Sequence, residues 1–88
     1  MSQRVLKYRL DKAPRTVLNI PADAAVCCVH EQNEHVSIWL VTKDHRDVSR
    51  RVAFNCTSTG QEVAGYYVGT AHIHGGNTVV HVFMEEAP

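Results

Sequence analysis

The 88-residue sequence predicts an all-β fold, a small antiparallel sandwich or partly open barrel of six to seven strands. Valine, isoleucine, threonine and tyrosine dominate the chain, and these residues favour strands. No stretch keeps an apolar repeat of about 3.6 residues over three turns, so no long amphipathic helix is predicted. Short polar segments with proline, asparagine or glycine separate the apolar stretches, as turns do in β domains. We expect one domain, residues 1–88, because this length cannot supply two separate cores.

The first two predicted strands lie on either side of the segment "DKAPR". The first runs from Arg4 to Leu10 and alternates apolar with charged side chains. Its apolar side, formed by Leu6, Tyr8 and Leu10, is expected to face the core. Proline cannot donate a hydrogen bond to a β-ladder, so "DKAPR" interrupts this strand. A second, short strand is predicted from Thr16 to Ile20, and "PADAA" ends it in a turn.

The next two strands, Val26 to Glu31 and Val36 to Lys43, are predicted to form a hairpin. A two-residue turn at Asn33 and Glu34 pairs positions whose numbers add up to 67, and paired residues share a sheet face. One face then collects four residues that are expected to be core: Cys27, Val29, Ile38 and Leu40. The other face is mixed and carries the tryptophan: Val26, Cys28, His30, Ser37, Trp39 and Val41.

A fifth strand from Val52 to Thr57 precedes a last hairpin, from about Val63 to Glu85, that folds at Gly75 and Gly76. Two glycines supply the positive φ angles of a type I′ turn. Paired positions then add up to 151, which places His72, His74 and His81 on one face, beside Tyr66. The reverse face is almost wholly apolar and is predicted to be core: Tyr67, Ala71, Ile73, Val80, Val82 and Met84.

The three histidines admit three interpretations. Three imidazoles and a water can ligate zinc, but neighbouring positions on one sheet face are about 7 Å apart, and no nearby Asp or Cys completes a site. They can instead lie on a solvated or subunit-facing sheet. In a ligand pocket, they would donate to a phosphate or a base. We predict no metal ligands and no cofactor, and we keep His72, His74 and His81 as candidate ligand contacts.

Further candidate contacts come from the polar segment "KDHRDVSRR" and from two aromatic residues. Arg50 and Arg51 can form paired hydrogen bonds to phosphate oxygens, although a solvated loop with local ion pairs has the same composition. Trp39 and Tyr66 can stack on a nucleobase, or they can pack in the core or against another subunit.

Composition and missing motifs exclude several classes of function. Nine basic and nine acidic side chains cancel, so no overall field attracts nucleic acid or an anionic membrane. Three cysteines are an odd number, which favours reduced thiols and a cytoplasmic location. No apolar stretch is long enough for a signal peptide or a membrane span. No phosphate loop, dinucleotide fingerprint or nucleophile elbow is present, so we expect a protein that is not an enzyme.

Four segments resemble, in order, the motifs of a family of small phage and prophage proteins classed as a domain of unknown function. They are "LKYRL", "IPADA", "EQNEHVSIWLVTK" and "YVGTAHIHGGNTVVHVFME". The resemblance spans nearly the whole chain and implies an accessory role in the host cell, with no assigned chemistry. Trp39, Gly69, Thr70, His81 and Phe83 are the matching positions with a candidate role in fold or function.

The leading hypothesis is an oligomeric binding protein that counters a bacterial antiviral defence by sequestering a nucleotide-type immune signal. Its predicted contacts are Arg50, Arg51, His72, His74, His81, Trp39 and Tyr66. The alternative is a protein inhibitor of a host defence enzyme or nuclease, which would bind through an exposed strand edge or the histidine face. A metal-dependent hydrolase is a distant third hypothesis.

Overall fold

The computed structural model describes residues 2–10, 14–43 and 48–88 and confirms the all-β prediction. Its seven strands are β1 (Arg4–Arg9), β2 (Arg15–Pro21), β3 (Ala25–Gln32), β4 (His35–Thr42), β5 (Ser49–Thr57), β6 (Tyr66–Ile73) and β7 (Thr78–Glu86). Sheet A has the order β1-β4-β3 and sheet B the order β2-β5-β7-β6. Every pairing is antiparallel, and the arrangement is sandwich-like. Residues 11–13 of "DKAPR" and residues 44–47 of "KDHRDVSRR" lie outside the described residues.

The core lies between the two sheets and is formed by every second side chain of each strand, on the faces that the sheets turn towards each other. Its most buried apolar members, with no exposed surface, are Ile38, Leu40, Val52, Phe54 and Val82. The predicted inner side of β1 is confirmed, because Leu10 is buried while Leu6 and Tyr8 are half-buried. The residues that the structure describes include no helical segment that could span a lipid bilayer.

The β3–β4 hairpin has the predicted turn and register over its outer half. Asn33 and Glu34 have φ angles of 54° and 68°, as a type I′ turn requires. The predicted pairing holds from Gln32 opposite His35 to Cys28 opposite Trp39. A β-bulge then shifts the register, so that Val26 pairs with Leu40 and packs against the core while Cys27 is exposed. The predicted core position of Cys27 is therefore wrong, because one extra residue in a strand exchanges its faces.

The β6–β7 hairpin repeats this pattern of a correct register followed by a bulge. The predicted pairing holds from Ile73 opposite Thr78 to Gly69 opposite Val82. The register then shifts at Val68, so that Tyr67 pairs with Phe83 and Tyr66 pairs with Met84. Tyr67 therefore joins the histidine face and Tyr66 the opposite face, which reverses the prediction for both tyrosines.

Sheets A and B approach each other most closely where β3 meets β6. A Cβ atom added to Gly69 would lie 2.6 Å from Cβ and Cγ2 of Val29, which is closer than real Cβ contacts. Glycine at position 69 therefore allows the backbone of β6 to lie directly against a side chain of β3.

Candidate functional site

The seven predicted contact residues lie in several parts of the molecule. Arg50 and Tyr66 line one cleft between β3 and β6. Arg51 pairs with Asn19 on the outer face of sheet B, and Trp39 lies on the outer face of sheet A, where Lys7 Nζ is 5.9 Å from its ring centroid. The structure therefore brings together one arginine and one tyrosine of this set.

The cleft that contains Arg50 and Tyr66 lies where the two bulges face each other. Its volume is about 340 Å³. Val26, from the bulged part of β3, and Val68, the bulge residue of β6, line it together with Met84 of β7. Bulges bend strands and redirect side chains, and here residues beside both bulges line a cleft of mixed polar and apolar character.

Arg50 supplies the positive charge of this cleft. It lies opposite the buried Ile20, so its side chain extends along the inner side of sheet B. Its Nη1 is 2.7 Å from Glu86 Oε1, and its Nη2 donates a hydrogen bond of 3.4 Å to the carbonyl oxygen of Ala24. The Nε atom is buried and has no hydrogen-bond acceptor among the described residues. A guanidinium has five N–H groups, and these contacts with described residues use two of them, one on Nη1 and one on Nη2.

Two tyrosines stand at the edge of the cleft. Tyr66 and Tyr67 are 55% and 57% exposed, which is a large exposed fraction for aromatic side chains. The Tyr67 ring packs edge-on against Phe83, with centroids 5.5 Å apart, and its hydroxyl is 2.6 Å from Thr70 Oγ1. A guanidinium, the exposed Tyr66 ring and a partly apolar lining together suit an anion that carries a flat ring.

The histidine face is partly as predicted. The register places His72 and His81 on the outer face of sheet B, whereas His74 has a φ angle of 54° and lies in the turn. His81 contacts Thr70 Oγ1 through Nδ1 (3.0 Å) and Thr59 Oγ1 through Nε2 (2.8 Å). Both nitrogens of this imidazole are thus already used within the protein.

His74 contacts the other sheet. Its Nδ1 is 2.7 Å from Glu34 Oε2, so the tips of the β3–β4 and β6–β7 hairpins touch. Across residues 2–10, 14–43 and 48–88, no three histidine, cysteine or carboxylate side chains are grouped so that they could hold a metal ion.

A second polar cluster lies on the outer face of sheet B around Asn55, which is 8% exposed. Its Oδ1 accepts a hydrogen bond from Arg15 Nη1 (3.1 Å). Its Nδ2 donates to the carbonyl oxygen of Ala64 (3.0 Å) and to Glu85 Oε2 (2.7 Å). Arg15 also forms an ion pair of 2.6 Å with Glu85. The cluster therefore joins β2, β5, β7 and the loop before β6.

Because of this cluster, we expect the folded protein to lose stability in acid. The hydrogen bond from Asn55, followed by that from Arg15, holds the pKa of the Glu85 carboxyl below its ordinary value. Because the folded-state pKa is lowered, the contribution to stability is complete above the unfolded-state pKa, near 4.3 for a glutamate, and disappears as the pH falls through the folded-state pKa. We expect Glu85→Gln to melt below the wild type at neutral pH. The melting temperatures of the variant and the wild type should converge as the pH is lowered from neutral to about 2. A difference that stays constant with pH would show that the ionised Glu85 carboxylate is not its cause.

The sequence analysis missed Val26 and Val68 as lining residues of the cleft, and Glu86 as the ion-pair partner of Arg50. A glycine inside a strand pattern is a signal for a bulge or a close backbone contact, so Gly69 could have indicated the irregularity in β6. The bulge at Cys27 has no comparable signal, since neither neighbour is a glycine or a proline.

Comparison with protein families identifies one whose model matches the whole of the given sequence. A family model described as "Domain of unknown function (DUF7352)" matches residues 1–88. No curated protein and no solved structure matches the chain. The fold and the cleft are therefore interpreted from their own physical chemistry.

Proposed function

We propose that this chain, which belongs to the DUF7352 family, is a small binding protein that captures an anionic, nucleotide-type ligand in the cleft beside Arg50. The observation that supports this function is the position of Arg50, whose guanidinium lines the cleft and uses two of its five N–H groups on Glu86 and Ala24. A phosphate oxygen is the partner that a guanidinium accommodates best.

The remaining features of the cleft favour a ligand with a flat ring. Stacking of a base on an aromatic side chain contributes about 1–3 kcal/mol, and Tyr66, which shares the inner face with Arg50 and Met84, offers an exposed ring. A volume of about 340 Å³ suits a ligand the size of a mononucleotide. The Glu86 carboxylate is 2.7 Å from Arg50 Nη1 and competes with the ligand anion for the guanidinium.

The proposal includes a biological role and an assembly. The four motifs that resemble phage and prophage proteins support a phage origin, and such a protein would act in the host cytoplasm by sequestering a nucleotide-type immune signal, without catalysis. Self-association is part of the proposal, because a second copy over Tyr66 and Tyr67 would cover two large exposed rings and close the cleft. Size-exclusion chromatography with light scattering tests the assembly, and a monomer at all concentrations would contradict it.

Ligand binding is tested by thermal unfolding in the presence of cyclic nucleotides and ADP-ribose derivatives. A ligand at one hundred times its dissociation constant stabilises the native state by ~2.7 kcal/mol, which raises the melting temperature by ~10 °C or more for a domain of this size. We expect Arg50→Gln to weaken binding of the active compound at least tenfold, about 1.4 kcal/mol, because a hydrogen bond to a charged group is lost.

The matched control is Arg51→Gln. It removes the same charge from the next residue, which lies on the outer face of sheet B, and affinity should be unchanged. Each variant is compared with its own melting temperature without ligand, since Arg50→Gln also removes the ion pair with Glu86. No shift with any compound, or equal losses in both variants, would reject the Arg50 cleft as a nucleotide site.

A further inference from the structure

The charges of this neutral protein are unevenly distributed along the chain. The first 15 residues contain five of the nine basic side chains and one of the nine acidic ones, a net charge of +4. The other 73 residues carry the balancing charge of −4. Three of the five basic residues, Arg4, Lys7 and Arg9, belong to β1, which contains no carboxylate. β1 is thus a strand with three cations and no compensating carboxylate of its own.

β1 is also an edge strand, and one hydrogen bond shows which of its backbone groups point towards β4 and which point away. Sheet A has β1 at one end, beside β4 alone among the described strands. The amide of Leu10 donates to the carbonyl oxygen of Val36, directly opposite it in a register without a bulge. Backbone groups of alternate residues point to opposite sides of a strand. The N–H and C=O groups of Val5, Lys7 and Arg9 therefore point away from β4, towards the open edge.

The side chains of β1 have a matching alternation. Val5, Lys7 and Arg9 lie on the outer face of sheet A, where Val5 is 60% exposed. Leu6 and Tyr8 lie on the inner side and are half-buried. A strand added at this edge would therefore meet positive charge on one face and apolar side chains on the other.

We propose that the β1 edge binds an extended, acidic segment of a partner protein by strand addition. Its backbone would pair with Val5, Lys7 and Arg9, and its alternate residues would be acidic on the outer face and apolar on the inner face. Charge complementarity selects this partner: opposite charges on paired strands attract, whereas an uncharged or basic segment gains nothing from Lys7 and Arg9.

Other occupants of the β1 edge, and the edge of β2 as an alternative site, fit less well. A second copy pairing through its own β1 would place cations opposite cations, which is destabilising. The free edge of β2 lies between Pro14 and Pro21, residues that limit strand addition, and its Arg15 is already paired with Glu85. This surface is independent of the Arg50 cleft, so the two proposals succeed or fail separately.

A peptide of alternating glutamate and valine tests the proposal, with binding followed by isothermal titration and by amide hydrogen exchange. We expect the amides of Val5, Lys7 and Arg9 to gain protection from exchange, because strand addition gives them acceptors. Val5→Pro removes one outward-facing N–H without altering charge or the β1–β4 ladder, and should weaken binding at least tenfold. The double variant Lys7→Glu, Arg9→Glu should also weaken binding at least tenfold, because its carboxylates repel the glutamates of the peptide.

The controls separate strand addition from simple charge attraction. Arg51→Glu changes an exposed cation on sheet B and should leave peptide affinity unchanged, as should Arg50→Gln. Circular dichroism and the melting temperature confirm that each variant is folded. Unchanged affinity in Val5→Pro, equal binding of a lysine–valine peptide, or equal binding of a single-stranded oligonucleotide without protection of the three amides would overturn the proposal.

Discussion

Asn55→Asp is expected to lower the free energy of unfolding by about 2–4 kcal/mol at neutral pH, although it changes a single NH₂ group to oxygen. Asn55 Nδ2 donates to two acceptors, the carbonyl oxygen of Ala64 and Glu85 Oε2. In the variant, a carboxylate oxygen would face both acceptors, and two carboxylates would share one small site. The ion pair with Arg15 offsets only part of this repulsion, because one guanidinium then serves both charges.

The penalty should depend on pH in a defined direction. Repulsion from Glu85 and the low exposure of the site raise the pKa of the introduced carboxyl above its unfolded-state value. The destabilisation is therefore present above that raised pKa and diminishes as the pH falls through it. Urea unfolding of the variant and the wild type at several pH values measures the difference.

Asn19→Asp is the matched control for this substitution. Asn19 is an exposed residue of β2 on the same face of sheet B, and the change should alter stability by less than ~0.5 kcal/mol. Equal effects at positions 19 and 55, or a penalty at position 55 that grows in acid, would show that the Asn55 hydrogen bonds do not hold the cluster together.

Gly69→Ala is expected to destabilise the protein by about 1–3 kcal/mol, the usual cost of overpacking. The added methyl group would lie 2.6 Å from Val29 Cβ, a branched atom next to the backbone that cannot rotate away. Since β3 and β6 are where the two sheets meet, the strands themselves must separate. The melting temperature of a domain of this size should fall by ~4–8 °C per kcal/mol.

A double-mutant cycle with Val29→Ala isolates the steric cause. Val29→Ala alone should destabilise by opening space in the core, yet the two changes together should cost less than their sum, because the smaller side chain makes room for the methyl group. His72→Ala, on the exposed side of the same strand, should change stability by less than ~0.5 kcal/mol. Additive losses would exclude the Gly69–Val29 contact as the origin of the effect.

The candidate site was only partly predictable, and the two bulges are the reason. Arg50 and Tyr66 were both predicted as contacts, and both line the cleft. The predicted face for Tyr66 was wrong, however, since one extra residue at Val68 exchanges the faces of everything before it in β6. Glu86 could not be identified because its contact with Arg50 joins residues 36 positions apart.

The amino-acid sequence predicts the strand class, the places where both hairpins reverse and the register near each reversal, because these depend on residues a few positions apart. The second turn has four residues, 74–77, and not the predicted two. Alternating side chains fix which face is buried, and Asn33-Glu34 and Gly75-Gly76 sit where the chain reverses. Tertiary structure alone decided the bulges, the contact of Gly69 with Val29 and the cleft between β3 and β6. Those features minimise the packing energy of two sheets that meet in space, and that energy involves partners far apart in the chain.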